Sequence, residues 1–544
     1  MNSFSTTNEP NDLFSYTSGR YVYNEGLRLS ERRVEFNVQA LKAIAARSVG
    51  RNHVSRIEKL AEGGFNRVFL LIMDDGFEVV AKIPYRLTVP RTLTTESEVA
   101  TLDFLRVHGI PVPRVYAYSS NMDNEVGTEY TIMEKAPGNP LQDKWFNLTP
   151  KERVRLVTSF VDIERRLFSI PFASYGSIYY HDRLPSNMRP IDIHTDELNA
   201  MKGNGGDRFC IGPSADYDFW LGRRALLDLN RGPWNDHREY IRSVAAKELE
   251  WTRKFGKPRC NQFPHNDILT GEISHLEYID LLEKFMSLSP FILPEGREDP
   301  MNKPMLRHPD LNPSNVFITD TGEVSCIIDW QHSSIQPLLL VAGNPPLFQN
   351  PDPEPPAGLE KPSLPTNYDS LSADERIQAD ELHRRRMLFY LYMVFNGKEN
   401  KAHLDALRYP LLMLRQHAVD RAGRQWSGNT VTLKGAIFRL VQNWDTLIQG
   451  ISPKIQCPVR FDQKDIKEFY TLEDQWFKLN ILVEHWKSLL DDLGQDGWVR
   501  HESYDKVMAL NRELKAEWLA EAQDENDGKQ VDEHWPFQNH EEVD

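Results

Sequence analysis

Residues 308–331 read HPDLNPSNVFITDTGEVSCIIDWQ, and they constrain the fold more than any other stretch of the chain. Asp310, Asn315 and Asp329 are spaced along it. Residues 316–319 read as a strand, Asp320-Thr321-Gly322 as a hairpin turn, and residues 324–328 as the returning strand. A chain built this way brings Asn315 and Asp329 together at the open end of a hairpin. Phosphoryl transfer needs three such oxygen donors. One orients a hydroxyl nucleophile, and two hold the magnesium ions that bridge the phosphates of ATP. Taken singly, each acid reads as an exposed turn residue before a buried strand; the spacing carries the reading.

Such a site needs a nucleotide-binding half, and residues 55–84, SRIEKLAEGGFNRVFLLIMDDGFEVVAKIP, are suited to supply it. They parse as three strands, 56–60, 67–73 and 77–83, with Asp74-Asp75-Gly76 as a hairpin turn. Gly63 and Gly64 lie in the first connection, where a backbone without side chains can approach phosphates. Taken alone they make an ordinary tight turn. Phe65 is placed to cap that loop, and Asn66 to donate to a phosphate. Lys82 stands in an apolar strand, a costly position unless it is paired or functional. Residues 94–107 read as a helix in which Glu98 falls beside the apolar stripe. Glu98 is the expected carboxylate partner of Lys82, with Glu96 one turn away as the alternative.

The HxDxxxxN spacing and the following Asp resemble the catalytic loop of the protein-kinase-like superfamily, in its aminoglycoside phosphotransferase and choline kinase branch. The resemblance implies a bilobal α+β fold, with a five-stranded antiparallel sheet plus helix in the small lobe and a large, mostly helical second lobe. It implies Asp310 as catalytic base, His308 as a brace of the loop, and Asn315 and Asp329 as magnesium ligands. Lys82 would hold the ATP phosphates, and backbone groups at Glu134 and Ala136 would recognise adenine. Two positions depart from protein kinases: Pro309 follows His308, and Trp330-Gln331 follows Asp329. Both argue against a regulated protein kinase. The segments LAEGGFNRVFLL, IPVPRVYAYS, RHPDLNPSNVFI and DWQHSSIQPLLL are similar to fungal phosphotransferase-family proteins related to altered inheritance of mitochondria protein nine.

The implied activity is transfer of the γ-phosphate of ATP to a hydroxyl of a small-molecule acceptor. The alternative is a catalytically weak relative acting as a nucleotide-binding or scaffold protein. A net charge of −15 argues against a nucleic-acid partner. No apolar run is long enough to cross a bilayer. Cys210, Cys260, Cys326 and Cys457 are far apart and show no zinc-ligand spacing. The first residues lack a signal-peptide core and carry acids, so the N-terminal sequence implies a cytoplasmic setting; the family resemblance implies a mitochondrial alternative. Nothing in the sequence fixes oligomeric state.

The expected organisation is an N-terminal extension (1–52), an ATP-binding small lobe (53–138), and a large lobe (139–450) with a helical insert at about 180–300. A helical extension (451–523) and an acidic, disordered tail (524–544) complete it. Residues 148–168, 236–255, 274–287, 372–396, 401–420, 430–447, 463–493 and 501–523 read as helices. Eight prolines between 345 and 365 read as a surface crossing or loop beside the active site.

Overall fold

The computed structural model describes residues 13–194, 208–353, 358–451, 455–491 and 493–542. Its small lobe opens with α1 (Val38–Ser48), capped by the Asn37 side chain, which accepts from the Ala40 amide. Strands β1 (Val54–Glu62), β2 (Asn66–Met73) and β3 (Glu78–Pro84) follow as a meander. Then come α2 (Leu93–Val107), β4 (Val115–Ser119) and β5 (Tyr130–Glu134). The five strands form one antiparallel sheet in the order β1-β2-β3-β5-β4. Helix α1 covers one face, its Leu41, Ile44 and Ala45 packing on Phe69, Leu71 and Val79. Residues before α1 join the same core through Phe14, whose ring meets Phe36 at 5.2 Å.

The large lobe is built on α3 (Pro150–Ser169), which starts with a full capping box between Thr149 and Glu152 and a proline in its first turn. The insert contributes α4 (His237–Phe255) and α5 (His275–Leu288), packed on each other. The hairpin β6 (Val316–Ile318) and β7 (Val324–Ile327) follows. Beyond it run α6 (Ala373–Glu399), α7 (Leu412–Ala422), α8 (Val431–Gln442) and α9 (Gln463–Leu489). The chain ends with α10 (Tyr504–Ala520) and α11 (Glu525–His534). Helices α4, α5, α7 and α8 share one large apolar core; α3, α6 and the β6–β7 hairpin share another. Among the described residues no helix is long and apolar enough to cross a membrane.

The connection between the lobes rests directly on the hairpin. Ser325 Oγ donates to Pro137 O at 2.6 Å. Gly138 has φ 95°, and a Cβ there would stand 2.5 Å from the Ile318 carbonyl oxygen. A glycine is therefore required at this crossing by backbone conformation and by space together.

Three expectations are corrected. The acidic tail is not disordered: α11 forms, and Trp535 and Phe537 are buried against Phe263, Trp486 and Leu490. Its charges occupy the outer face, so composition hides an apolar face that finds a partner. The helix expected over 401–420 is two helices, broken where Pro410 removes an amide donor and Leu411 takes φ 60°. The proline-rich stretch is not wholly superficial, because Leu347 and Phe348 sit in the core beside Phe160 and Tyr392.

Candidate active site

Lys82 faces the cleft from β3. Its Nζ donates to Glu98 Oε1 at 2.7 Å and to Asp329 Oδ1 at 2.7 Å. Glu98 is buried on α2, while Asp329 keeps 43 % of its side chain open to the cleft. Burial alone would pull the Lys82 pKa down; the two carboxylates overcome it and raise it. Burial pushes the Glu98 carboxyl up against the opposing pull of Lys82. Asp329 is held below its ordinary value because Lys82 outweighs burial. Glu96, the alternative partner, instead accepts from Tyr118 at 2.9 Å and from Ser120.

The hairpin β6–β7 positions the acidic side. Ile328 N donates to Asn315 O at 3.0 Å, which places Asn315 next to Asp329 at the open end. Asn315 Nδ2 donates to Asp310 O at 2.8 Å, so its amide oxygen faces away from that loop. Asn312 Nδ2 donates to the Asp310 carboxylate at 2.9 Å. His308 spans loop and strand: Nε2 donates to Ile328 O at 2.8 Å, and Nδ1 accepts from the Asp310 amide at 3.1 Å. Both ring nitrogens are thus satisfied by the neutral imidazole, and burial lowers the pKa to match. The basic and acidic halves meet at the contact of Lys82 with Asp329.

The connection after β1 carries Gly63 and Gly64, both exposed, and a side chain at Gly64 would meet open space. Asn66 and Phe65 turn inward. Asn66 Nδ2 donates to Gln331 Oε1 at 2.5 Å, and the Phe65 ring lies 4.9 Å from those of Tyr217 and His332. Glu134 ends β5, with its amide donating to Arg114 O at 2.8 Å. Ala136 lies two residues on, outside the sheet and partly exposed.

A cavity of about 500 Å³ opens beside Asp310. Asp216, Tyr217 and Asp218 from the insert, His332, and Asn344–Pro346 line it. Burial and the neighbouring Asp218 raise Asp216 to about 6. The segment holding these acids, SADYDFW, reads in sequence only as aromatic-rich; the pairing of aspartates around Tyr217 was the unused signal. Residues beneath the cavity were also missed. Arg307 donates to Glu164 and, at 2.6 Å and 3.0 Å, to the carbonyls of Val341 and Gly343. Nothing in the sequence ties Arg307 to Glu164, which lies 143 residues away.

A sheet lysine paired with a helix carboxylate beside a five-stranded sheet, facing an acidic hairpin across a cleft, defines the kinase-like class of folds. The phosphotransferase enzyme family model matches residues 56–198. A subtelomeric hrmA-associated cluster protein of Aspergillus fumigatus is 30 % identical over 503 residues, spanning 86 % of this chain and 94 % of the relative. The altered inheritance of mitochondria protein 9 of Yarrowia lipolytica is 28 % identical, over 93 % and 88 % of the two chains. The chain belongs to the phosphotransferase enzyme family, in company with these fungal proteins. The streptomycin–ATP complex of APH(2")-IIa is similar at 13 % identity and a TM-score of 0.35, covering 76 % of this chain and 99 % of that one. An ethanolamine kinase of Plasmodium vivax is similar at 13 % identity and a TM-score of 0.29, covering 70 % and 82 %.

Proposed function

We propose that the chain is an ATP- and magnesium-dependent O-phosphotransferase acting on a small hydroxyl-bearing acceptor. The observation that carries this reading is the contact of Lys82 with Asp329, with Asp310 and Asn315 at the same end of the cleft.

Asn315 and Asp329 offer an amide oxygen and a carboxylate, the hard donors that magnesium takes. Among the described residues no three His, Cys, Asp or Glu side chains converge on one point. Magnesium sites of this type take one or two protein oxygens and complete themselves with substrate phosphates. Bound there, the ion would neutralise phosphate charge.

The acceptor hydroxyl lies in the cavity beside Asp310. As its oxygen bonds to the γ-phosphorus, the bond from phosphorus to the bridging oxygen of ADP breaks. Asp310 takes the hydroxyl proton, and Asn312 and Asn315 hold that carboxylate and its loop in place. Lys82, kept charged by Glu98, holds the phosphates. Positioning and charge stabilisation supply most of the rate in this chemistry. Backbone at Glu134 and Ala136 receives the base of the nucleotide, and Gly63 and Gly64 give its phosphates room.

The test uses purified chain, magnesium and ATP labelled in its γ-phosphate, with pools of small alcohols and amino alcohols. Asp310→Asn is expected to lower label transfer by about 10²- to 10⁴-fold while ATP affinity stays within about twofold. Nucleotide binding with no transfer or hydrolysis in the unaltered chain would favour a scaffold role instead. The name of the Yarrowia lipolytica relative supports a mitochondrial setting, the alternative to the cytoplasm. Imaging a tagged chain decides between them.

A further inference from the structure

The short turn after Asp329 reaches back to the small lobe. Asp329 and His332 have φ 65° and 61°, left-handed values that are uncommon outside glycine. Between them Trp330 is buried, its indole N–H donating to Ile327 O at 3.1 Å. The two left-handed residues bend the chain so that Gln331 and His332 both point across the cleft. Gln331 Oε1 accepts from Asn66 Nδ2 at 2.5 Å, and both residues are buried. His332 donates from Nε2 to Val89 O at 3.0 Å and sets its ring 4.9 Å from Phe65. The Phe65 carbonyl is itself pinned by Tyr85 N at 2.8 Å and Thr88 Oγ1 at 2.5 Å. The inner end of the loop carrying Gly63 and Gly64 is therefore fastened to the segment that carries Asp329.

Asn66 is the side chain expected to donate to a nucleotide phosphate, and here one of the two N–H bonds of its amide is held by Gln331. A phosphate that draws Asn66 toward itself must compete with Gln331 for that side chain. A buried amide pair does not release without a replacement partner, because each polar group left alone in a dry site is costly. We propose that Gln331 is a positioning residue that latches this loop shut. Holding Asn66, with the His332 ring set edge-to-face against Phe65, it keeps the loop closed over Asp329, and nucleotide enters and leaves by releasing that latch. The nucleotide part of this inference rests on the phosphotransferase reading above; the latch itself does not.

Two measurements test it. Hydrogen exchange of the amides of residues 62–67 is followed in the unliganded chain, and binding of a fluorescent ADP derivative is followed by stopped flow. Gln331→Ala is expected to speed loop exchange about three- to tenfold, the effect of one buried hydrogen bond. Association and dissociation of the ADP derivative both speed up, while Kd moves less than either rate. Asn66→Ala produces the same exchange effect from the other end, and the double variant adds nothing further. Gln331→Glu, which keeps an acceptor oxygen for Asn66, retains slow exchange. If Gln331→Ala does not fold, Asn66→Ala decides the matter alone. Unchanged loop exchange in the folded variants, or additive effects in the double variant, overturns the latch. If the unaltered chain binds no ADP derivative, the phosphotransferase reading fails, and loop exchange still decides whether the latch exists.

Discussion

Lys82 Nζ stands 2.7 Å from Asp329 Oδ1, although 247 residues separate the two in sequence. This contact joins a strand of the small lobe to the end of the hairpin in the large one. It gives Asp329 a cationic partner; under the proposed function, a magnesium ion at Asp329 would share that carboxylate with Lys82. Asp329→Ala is expected to abolish metal-dependent ATP binding, measured by calorimetry with and without magnesium. Unchanged affinity in that variant would remove Asp329 from the metal site.

Lys82→Met leaves Glu98 buried without its cation. Breaking a buried pair by removing one partner is strongly destabilising, although Glu98 recovers part of the loss by taking a proton. We expect a loss of about 2–4 kcal/mol in urea unfolding. Lys82→Met combined with Glu98→Gln should recover stability but not ATP affinity, which separates the two roles of the lysine.

Beneath the cavity, Arg307, Glu164, Tyr392, Asn396, His403 and Gly343 form a buried polar cluster. Tyr392 donates to Glu164, His403 Nδ1 donates to Asn396 Oδ1 at 3.1 Å, and Gly343 N donates to His403 Nε2 at 3.3 Å. Arg307 joins the cluster through Glu164 and the Gly343 carbonyl. Glu164→Ala strands a buried guanidinium and is expected to cost about 3–5 kcal/mol. Tyr392→Phe removes one donor and is expected to cost about 1–2 kcal/mol. Denaturant midpoints at constant m-value check both.

Burial and the Lys82 charge hold His332 down at about 4, below its ordinary value of 6.5. The unfolded chain therefore takes up this proton first as pH falls. Stability from His332 is fully present above about pH 6.5 and is lost as pH falls toward about 4. Discounted for partial exposure, the loss is about 2 kcal/mol. Melting temperature should fall across that window, and His332→Gln should flatten the curve. A variant with an unchanged slope would assign the acid sensitivity elsewhere, for instance to His308 or His403, whose pKa values burial also lowers.

Trp535 packs at 5.1 Å from Trp486 and 6.0 Å from Phe263, closing a core shared by the insert and the C-terminal helices. Trp535→Ala is expected to cost about 3–5 kcal/mol, as large aromatic deletions do. A change within about 0.5 kcal/mol would restore the picture of a dispensable tail.

Local patterns were legible in the sequence because their causes are local. The turns at Asp74-Asp75-Gly76 and Asp320-Thr321-Gly322, the apolar runs of β2 and β3 and the helical apolar stripe of α2 all act within a few residues. They give most of the elements and the hairpin that carries Asn315 and Asp329. Where the chain departed from expectation, a distant partner decided. The acidic tail folds because Trp535 finds Trp486 and Phe263, which composition cannot register. Asn66 meets Gln331, and Arg307 meets Glu164, only once two lobes have packed. Hydrogen bonds and ion pairs form between atoms a few ångströms apart, whatever their separation along the chain. The sequence by itself therefore determined which groups were available and on which elements. The tertiary structure alone decided which of them met in the cleft and which were already engaged there.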